Sequence, residues 1–403
     1  MGGSLPTPAE AEARIRDCLR ALPVETRPLA TLAGAVLAEA IHAERDQPPF
    51  DRVTMDGIAL ASSSWKAGRR RFRIAGIQAA GRPALALESS DDCIEAMTGA
   101  VLPSGCDAVI PVERLAYDDG WAEVAGDVSV EPGLNVHGRA RDGRAGDRLL
   151  GPGTRLGGPE VALIASAGRA EARVHVEPRV AVVSTGDELV DAGRPIEAWQ
   201  VRRSNPAALR AALALRGYAR VTEDHLPDDP TTMRDRLAEH LADHDAVVVS
   251  GGVSMGRYDH VPAVLAGLGV REVLHRVAQR PGKPLWFGVT DRGQPVFGLP
   301  GNPVSALVCL VRYVAPALAV LSGAAPPKPE WLPLAAGFRV RPPLTHFVPA
   351  QLVSSPGQPL AAAARPTDGS GDFIALAGTD GFVELPPGPV DLEPGTLASF
   401  RRW

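Results

Sequence analysis

Residues 246–256 read AVVVSGGVSMG, in which a β-branched apolar run leads directly into two glycines. Such a run, bounded by turn residues, is typical of a strand that is buried on both faces. Around it, further strand-like runs alternate with helix-like segments: RVAVV (179–183), PAALRAALALRG (206–217), YARVTEDHL (218–226), TTMRDRLAEHLADH (231–244) and PVFGLPG (295–301). This alternation predicts an α/β domain over residues 177–326, with a doubly wound parallel sheet covered by helices on both faces.

The segments on either side of this domain differ from it in the spacing of their apolar and turn residues. Residues 46–140 are short alternating runs separated by glycine, proline and aspartate turns, which predicts an inserted β domain. Its flanks, 1–45 and 141–176, show apolar residues at helical spacing, and we expect them to form one discontinuous helical domain. Residues 327–403 follow a proline-rich linker and return to short strands, which predicts a C-terminal β domain. At the start of the chain, Thr7 and Glu10 predict a helix opened by a capping box.

Composition and charge restrict the partners and the compartment. The 403 residues carry a net charge of −5, which provides no global field for nucleic acid, so we expect no nucleic-acid partner. Residues 304–321 are the one stretch of membrane length, but they include Arg312 and Pro316, so we expect a buried helix and no membrane partner. The four cysteines are too widely spaced for a zinc module or a disulfide framework. With no signal-peptide pattern at the N-terminus, a reducing, cytoplasmic location is expected.

Four unusual loops follow predicted strands of the α/β domain. They are STGDEL (184–189), LPDDP (226–230), SGGVSMGRYD (250–259) and GLPGNPVS (298–305). In an open α/β sheet, ligands bind beyond the carboxyl ends of the strands, so all four loops are expected at one edge. Gly251 and Gly252 let backbone amides approach an anion, and each loop leads into a helix whose N-terminus favours negative charge.

Carboxylates accompany these glycines. They are Asp187, Glu188, Asp228, Asp229 and Asp259. Carboxylates beside an anionic ligand repel it unless a hard cation such as Mg²⁺ intervenes, so the loops predict a site for a metal and an oxyanion. Lys283, one of only three lysines, stands in the turn RPGKP (280–284) and can act as a point charge against a phosphate.

Each loop also has a purely structural interpretation. STGDEL and LPDDP can begin helices, and GLPGNP can be a rigid turn with Asn302 as N-cap and Pro303 in the first helical turn. RPGKP can be an ordinary tight turn with a solvated lysine. The nine histidines are scattered, and His240 and His244, which share a helix face, are expected at the surface. Because all the loops are expected at the same edge of the sheet, a functional role is favoured over these structural alternatives.

Two segments of the predicted β insertion complete a pattern. The insertion contains PPFDRVTMDGIAL (48–60) and MTGAVLPSGCDAVIPVE (97–113). Further along the chain follow, in this order, SGGVSMGRYD, PGKP and GLPGNPVSA. With these motifs the chain resembles the molybdopterin molybdenumtransferase family, the MoeA type that includes the E domain of gephyrin. The resemblance runs from about residue 25 to the C-terminus.

The resemblance implies a fold, an activity and partners. It implies a four-part subunit: the discontinuous helical domain, the inserted β domain, the α/β molybdopterin-binding domain and a C-terminal β barrel. It also implies a homodimer whose pocket lies between the α/β domain of one chain and the β insertion of the other. Family members insert molybdate into adenylylated molybdopterin and release AMP with a divalent cation. Transient contacts with molybdopterin adenylyltransferase and with recipient molybdoenzymes are expected on the same ground.

The resemblance also assigns residues to roles. The catalytic set is Asp56, Thr98, Glu188, Asp228 and Asp259, of which Asp259 and Glu188 are expected to hold the cation or the attacking water. The expected substrate-binding residues are Asp142, Gly251, Gly252, Ser254, Lys283, Pro300, Asn302 and Pro303.

The chain departs from the family pattern at several positions. Arg203 stands where the family has aspartate, Ala140 and Arg141 replace glycine and glutamate, and FVPAQL (347–352) lacks the usual arginine. Two alternatives therefore stay open. One is a molybdopterin adenylyltransferase that uses ATP, because the α/β domain type is shared. The other is a non-catalytic scaffold of the same fold that binds molybdopterin, which the change at Arg203 favours.

Overall fold

The computed structural model describes residues 4–253 and 259–403. The first segment contains α1 (Pro8–Asp17), β1 (Val24–Pro28) and β2 (Ile41–His42), with a 3₁₀ turn at Leu29–Thr31. Thr7 Oγ1 accepts the N–H of Glu10 at 3.3 Å, and the Glu10 carboxylate accepts the N–H of Thr7 at 2.8 Å, so the predicted capping box is confirmed.

The helical prediction for residues 8–45 holds only as far as Asp17. Beyond that residue, Pro23 and Pro28 remove backbone donors, and the run Val24–Pro28 alternates between exposed and half-buried residues as a strand does. The apolar face of α1, with Ala11 and Ile15, packs into the core of the α/β region. Among the described residues, this core includes none from Val24 to His42.

The inserted region is built on a six-stranded sheet. Its elements are β3 (Arg52–Val53), β4 (Gly57–Leu60), α2 (Ser62–Lys66), β5 (Arg71–Gln78), β6 (Asp92–Ala96), β7 (Ala108–Pro111), β8 (Leu115–Asp118), β9 (Trp121–Val124) and β10 (Val136–His137), with a 3₁₀ turn at Val112–Arg114. The strand order is β7-β4-β6-β5-β9-β8, and β3 pairs with β10 outside this sheet. The predicted β-rich texture of residues 46–140 is therefore confirmed.

The chain returns from the insertion through β11 (Arg148–Leu150), α3 (Gly158–Ser166) and β12 (Glu171–His175). β12 pairs antiparallel with β1, and β11 pairs with β2. Leu37 and Ile41 share a core with Leu156, Ile164 and Val174. The two flanks of the insertion thus meet in one core, although strands as well as α3 build it.

The α/β region supplies the largest core. Its elements are β13 (Val180–Thr185), β14 (Leu189–Val190), β15 (Val201–Arg202), α4 (Asn205–Ala214), β16 (Val221–Leu226), α5 (Pro230–Asp243), β17 (Ala246–Ser250), α6 (Val261–Gly267), β18 (Arg271–His275), β19 (Gln279–Arg280), β20 (Trp286–Val289), β21 (Pro295–Leu299), α7 (Pro303–Cys309), a π-helical turn (Leu310–Val314) and α8 (Ala315–Leu321). The six-stranded sheet has the order β16-β13-β17-β21-β20-β18. Val180 and Val182 of β13 face one core, whereas Ala181 and Val183 face another, so both faces are covered as predicted.

Only part of this sheet is parallel. β16, β13, β17 and β21 run parallel, while β20 and β18 are antiparallel additions at one edge. The sequence interpretation missed these two strands. β20 and β21 form a hairpin closed by a turn in which the N–H of Thr290 donates to the backbone oxygen of Gln294 at 3.1 Å. A short hairpin needs no crossover helix, so the strand–helix alternation does not reveal it.

The helix Pro303–Leu321 is long and apolar enough to cross a membrane, with a mean hydropathy of 2.1, yet 94% of it is buried inside the protein. It runs through the main core, as expected for this stretch. Arg312, only 3% exposed, donates to the carboxylates of Glu12 at 2.5 Å and Glu384 at 3.0 Å. This pairing connects α1, the central helix and the C-terminal region.

The C-terminal region is a curled sheet. Its elements are β22 (Glu330–Pro333), β23 (Phe338–Val340), β24 (Thr345–Val353), β25 (Ala361–Ala364), β26 (Gly381–Leu385), β27 (Val390–Leu392) and β28 (Leu397–Arg402), with a 3₁₀ turn at Ile374–Leu376. The order is β19-β24-β26-β28-β22, and β25, which pairs with β24, bridges back to Leu334 beside β22. Because β19 belongs to the α/β chain segment, its pairing with β24 holds the two regions together.

Candidate functional site

A cavity of about 680 Å³ opens at the carboxyl ends of β13, β16, β17 and β21. The sequence-predicted residues that line it are Glu188, Asp228, Gly251, Gly252, Asp259, Pro300, Asn302 and Pro303. The four loops therefore converge as predicted, because parallel neighbours in a sheet end at the same edge. Ser254, the remaining loop residue expected to bind phosphate, lies outside the described residues.

Backbone conformation explains the two glycines after β17. Gly251 and Gly252 have φ angles of +98° and +64°, which side-chain-bearing residues rarely adopt. A Cβ on Gly251 would lie 2.8 Å from the backbone oxygen of Thr185, and one on Gly252 would lie 2.9 Å from Val261 Cγ2. The glycines thus keep the loop close against β13 and leave its backbone bare toward the cavity.

The LPDDP loop combines both interpretations that the sequence allowed. Asp229 is the N-cap of α5, where its Oδ2 accepts the N–H of Thr232 at 2.7 Å. Asp228 instead lines the cavity, and its N–H donates to Asp187 Oδ1 at 3.1 Å. Burial raises the pKa of the Asp228 carboxyl, and the nearby charges of Asp187 and Glu188 raise it further against a backbone hydrogen bond from Asp187. One acid stabilises a helix, and its neighbour adds negative charge to a crowded site.

Two helices begin at the wall of the cavity. Asn205, the first residue of α4, lines it and donates from Nδ2 to the backbone oxygen of Gly301 at 2.8 Å. The central helix begins at Pro303 with Asn302 as N-cap, in the position predicted. However, Asn302 makes no side-chain capping bond, and its Nδ2 donates to Ser370 Oγ at 2.6 Å. The positive ends of both helix dipoles therefore lie at the cavity and favour an anion.

Lys283 lies in a second cavity, of about 630 Å³, between the α/β region and the C-terminal sheet. The two cavities share Pro284, Pro300 and Asn302 as lining residues. Arg280, Arg339 and Arg341 also line the second cavity. The sequence placed Lys283 in one pocket with the acids. In the structure it lines the adjoining cavity, whereas Glu188, Asp228 and Asp259 line the first cavity together with Arg202 and Arg203.

Three predicted residues line neither cavity of this chain: Asp56, Thr98 and Asp142. In the insertion, Asp56 Oδ1 accepts the Thr98 N–H at 2.6 Å and the Thr98 hydroxyl at 2.7 Å. These two bonds lower the pKa of the Asp56 carboxyl. Asp142 is paired with His137, whose Nε2 lies 2.9 Å from both carboxylate oxygens.

Arg203, the main departure from the family pattern, lines the first cavity. Its Nε donates to Asp191 Oδ1 at 2.7 Å, and its Nη1 donates to the backbone oxygen of Asp224 at 3.2 Å. Asp191 thus compensates the charge that Arg203 brings to the site. Sequence reasoning noticed Arg203 but missed the lining residues Thr185, Ser204 and Asn205. The only available signal was their position at strand ends and helix starts.

The histidine pair on α5 requires a correction. His240, expected at the surface, is 6% exposed, and its Nε2 lies 2.7 Å from Asp224 Oδ2. Asp224 also accepts from Arg236 at 2.9 Å and from the N–H of His225 at 2.8 Å. The pattern of α5 alone could not show that an acid on β16 would face His240.

The cysteines have no catalytic environment. All four are free thiols, and burial raises the pKa of Cys93, Cys106 and Cys309 to about 12. A thiol with such a pKa is protonated at neutral pH and is a poor nucleophile or metal ligand.

Comparison with known proteins covers nearly the whole chain. Residues 7–168 match the MoeA N-terminal region (domain I and II), residues 181–320 a probable molybdopterin binding domain, and residues 332–402 the MoeA C-terminal region (domain IV). The molybdopterin molybdenumtransferase of Synechocystis sp. is 42% identical over 371 residues, which cover 92% of this chain and 93% of the relative. That of Nostoc sp. is 33% identical over 72% of this chain and 68% of its own.

Solved structures agree in fold. The molybdopterin biosynthesis MoeA protein from Pyrococcus horikosii has a TM-score of 0.79 and 28% identity, with 99% of each chain covered. A second MoeA structure from Pyrococcus horikoshii OT3 superposes with a TM-score of 0.82 at 24% identity, covering 99% of this chain and all of its own. The resemblance and the multidomain fold inferred from the sequence are confirmed, and the chain belongs to the molybdopterin molybdenumtransferase family, a family of transferases of molybdenum cofactor biosynthesis.

Proposed function

We propose that this protein inserts molybdate into adenylylated molybdopterin with release of AMP, in a reaction that depends on Mg²⁺ and takes place in the cytoplasm. One observation carries the proposal. Three carboxylates from three separate loops, Glu188, Asp228 and Asp259, line the same cavity as the bare backbone of residues 251–252. A volume of about 680 Å³ lies within the usual range of small-ligand sites, which suits a nucleotide-like substrate.

The chain's own groups can bind such a substrate without forming a covalent bond to it. The N–H of Gly252 and the two helix N-termini offer partial positive charge to phosphate oxygens, whereas the N–H of Gly251 donates to the backbone oxygen of Leu299 at 3.0 Å. The thiols of Cys93, Cys106 and Cys309 are protonated, so none of these three competes as a nucleophile with water or molybdate. The protein's contribution is then binding, orientation and charge placement.

The acidic wall fits a hard divalent cation. Within the described residues no set of three metal-ligating side chains is already assembled. Burial raises the pKa of Asp228, and the charges of Asp187 and Glu188 raise it further. A cation would relieve this repulsion, and carboxylate oxygens are the ligands Mg²⁺ prefers. Asp259 and Glu188 are the residues we expect to hold it. When bound, the ion would supply charge neutralisation at the phosphoanhydride.

The basic second cavity suits molybdate, the other substrate. Lys283 and the neighbouring arginines provide positive charge next to the acidic cavity, and Asn302 lines both. A dianion can thus be held apart from the carboxylates that would repel it until it passes to the pterin. This arrangement supports the role expected for Lys283.

A homodimer would bring the insertion to the cavity. Asp56 and Thr98 line neither of the two cavities described above, and exposed apolar side chains occur in the same inserted region: Met55 is 41% exposed, Ile77 59% and Val112 44%. The N–H of Val112 donates to the backbone oxygen of Asp56 at 2.9 Å. Exposed apolar residues in the insertion suit an interaction surface, and a second copy of the chain is the partner that would use Asp56.

The reaction is tested with purified protein, adenylylated molybdopterin, molybdate and Mg²⁺. We expect AMP release that requires molybdate and Mg²⁺ and consumes no ATP. ATP-dependent adenylylation would instead indicate a molybdopterin adenylyltransferase. Ligand binding without turnover, unchanged in Glu188→Ala and Asp259→Ala variants that still support a molybdoenzyme, would indicate a scaffold.

The dimeric site is tested by mixing two inactive variants. Asp56→Asn and Asp259→Asn subunits disable opposite halves of a shared pocket, so a randomised mixture should regain about a quarter of the parent activity, since half the dimers are hybrids with one intact site. Each variant alone measures the background. If the mixture stays inactive although exchange is shown by mass with one variant isotopically labelled, Asp56 does not act on the partner's cavity.

A further inference from the structure

Thr185 carries a buried hydroxyl that nothing in the fold satisfies. The residue is 5% exposed, and its Oγ1 has no hydrogen-bond partner among the residues the structure describes. The adjacent Ser184 shows the usual situation, because its Oγ contacts His225 Nδ1 at 3.2 Å and the backbone oxygen of Asp224 at 3.3 Å. A buried polar group without a partner destabilises the folded state, so Thr185 requires an explanation.

The location of this hydroxyl supplies one. Thr185 is the last residue of β13 and lines the first cavity. Its Oγ1 lies 2.8 Å from the position that a Cβ on Gly251 would occupy, and 3.1 Å from the equivalent position at Gly252. The glycine backbone therefore packs directly over the hydroxyl at the edge of the cavity. The oxygen itself is shielded from solvent, so a ligand reaches it when the Thr185 side chain rotates toward the cavity.

The two groups complement each other chemically. The N–H of Gly251 already donates to the backbone oxygen of Leu299 at 3.0 Å, which leaves the N–H of Gly252 and the Thr185 hydroxyl as neutral donors for the acceptor oxygens of a phosphate. The carboxylates Glu188, Asp228 and Asp259 on the same cavity can only repel a phosphate unless a cation intervenes. A neutral donor held against the glycines would bind the phosphate without adding charge.

We propose that Thr185 is a substrate-binding residue whose Oγ–H donates to a phosphate oxygen held at residues 251–252. The ligand class is a phosphate ester or anhydride, and for this identification the inference rests on the proposed function. The hydroxyl is kept at a cost in stability because its partner arrives with the substrate.

The proposal predicts opposite effects of one substitution on stability and on binding. Thr185→Val keeps the β-branched shape and removes only the hydroxyl. The melting temperature should stay the same or rise, because an unpaired polar atom is replaced by a methyl group. Affinity for AMP, measured by titration calorimetry on the full chain with Mg²⁺, should fall about 10-fold, since a hydrogen bond to a charged group is lost.

Three comparisons isolate the hydroxyl and the phosphate. Thr185→Ser should bind AMP within about threefold of the parent, because it restores the donor. Adenosine, which lacks the phosphate, should bind the parent and Thr185→Val equally. Ser64→Ala is the matched control, because Ser64 is another buried hydroxyl without a partner, 8% exposed and outside the first cavity. It should tolerate the loss equally well and leave AMP binding unchanged.

The outcomes separate this inference from the proposed function. Unchanged AMP affinity in Thr185→Val, an equal loss in Ser64→Ala, or a parent protein that binds neither AMP nor inorganic phosphate would each overturn the role of Thr185. A clear drop in the melting temperature of Thr185→Val would show that the hydroxyl is structural. If AMP binding depends on Thr185 while molybdate releases no AMP from the adenylylated pterin, the binding role stands and the proposed reaction fails.

Discussion

Asp228 and Asp56 are both expected catalytic carboxylates, but their surroundings shift their pKa values in opposite directions. Asp228, in the α/β region, is partly desolvated beside Asp187 and Glu188, and its pKa is raised. Asp56, in the insertion, accepts two hydrogen bonds from Thr98, and its pKa is lowered. The fold therefore holds one acid at a cost and orients the other with stabilising bonds.

This difference indicates which of the two regions has polar groups that a bound ligand would stabilise. Asp228 lies in the cavity together with an unpaired Thr185 hydroxyl, so the α/β edge leaves both charge and a polar group to be satisfied by something bound. The Asp56 turn is complete without a ligand and presents a preorganised carboxylate to whatever covers it. The α/β edge has the features of a binding site, and in the proposed homodimer the insertion would dock onto the site of the partner.

The largest expected effect concerns Asp259. Asp259→Asn should lower the rate of molybdate-dependent AMP release by more than ~10-fold, the scale of a lost electrostatic contact in catalysis. Its melting temperature should stay near the parent value, because a loop carboxylate at a sheet edge buries little core. Asp229→Asn is the control, since it makes the same change on the N-cap of α5, and asparagine is also a good cap. Parent-like turnover in Asp259→Asn would remove its assigned role.

The second prediction separates the two cavities. Lys283→Gln should raise the KM for molybdate about 10-fold, the scale of a lost charged hydrogen bond, and leave AMP affinity unchanged, because Lys283 lines only the second cavity. Lys328→Gln, which removes an exposed lysine in the linker, should change neither quantity. An equal loss of AMP affinity in Lys283→Gln would show that the cavities act as one site.

The third prediction compares glycines of the two regions. Gly120, in the turn between β8 and β9, has φ +79° and space around it, so Gly120→Ala should cost about 1–2 kcal/mol of unfolding free energy for the backbone conformation alone. Gly251→Ala adds a Cβ 2.8 Å from a backbone oxygen and should cost more, with loss of AMP binding. Urea unfolding measures both, and equal costs would mean that the Gly251 loop can move away from β13.

The smallest effects test the two carboxylates directly by their pH dependence. The folded pKa of Asp228 is raised, so ionising it opposes folding: Asp228→Asn should raise the melting temperature at neutral pH, and this gain should vanish as pH falls through the raised pKa. The folded pKa of Asp56 is lowered, so its stabilisation is complete above the ordinary aspartate pKa and is lost as pH falls through the folded value. Asp56→Asn should therefore lower the melting temperature at neutral pH.

Thermal scans from pH 3 to 8 compare the two variants with the parent, which samples the region around an ordinary aspartate pKa of about 3.9. Shifts of the same sign in both variants would contradict the contrast between crowded and oriented acids.

Local patterns predicted much of the fold. The capping box at Thr7, the buried strand Ala246–Ser250 and the helix Pro230–Asp243 follow from hydrogen-bonding side chains, β-branched runs and apolar periodicity, all of which act over a few residues. The residues at the cavity were also predictable, because parallel strands place their following loops at one edge. The domain boundaries and residue roles remain predictions.

The errors have one physical origin, which is contact between distant segments. α1 packs on the α/β core. His240 is buried and contacts Asp224, which lies on another element. Lys283 lies near the C-terminal sheet, because β19 pairs with β24. No local pattern reports such a partner.

The strand runs, the glycine turns and the helix caps follow from the sequence alone, because each depends on the conformational preferences of a few neighbouring residues. Only folding decided which acid would have other acids near it and which hydroxyl would lack a partner. It also decided which charged residues would line each of the two cavities. Desolvation and Coulomb interactions depend on distances between segments that are far apart in the chain, and only packing sets those distances.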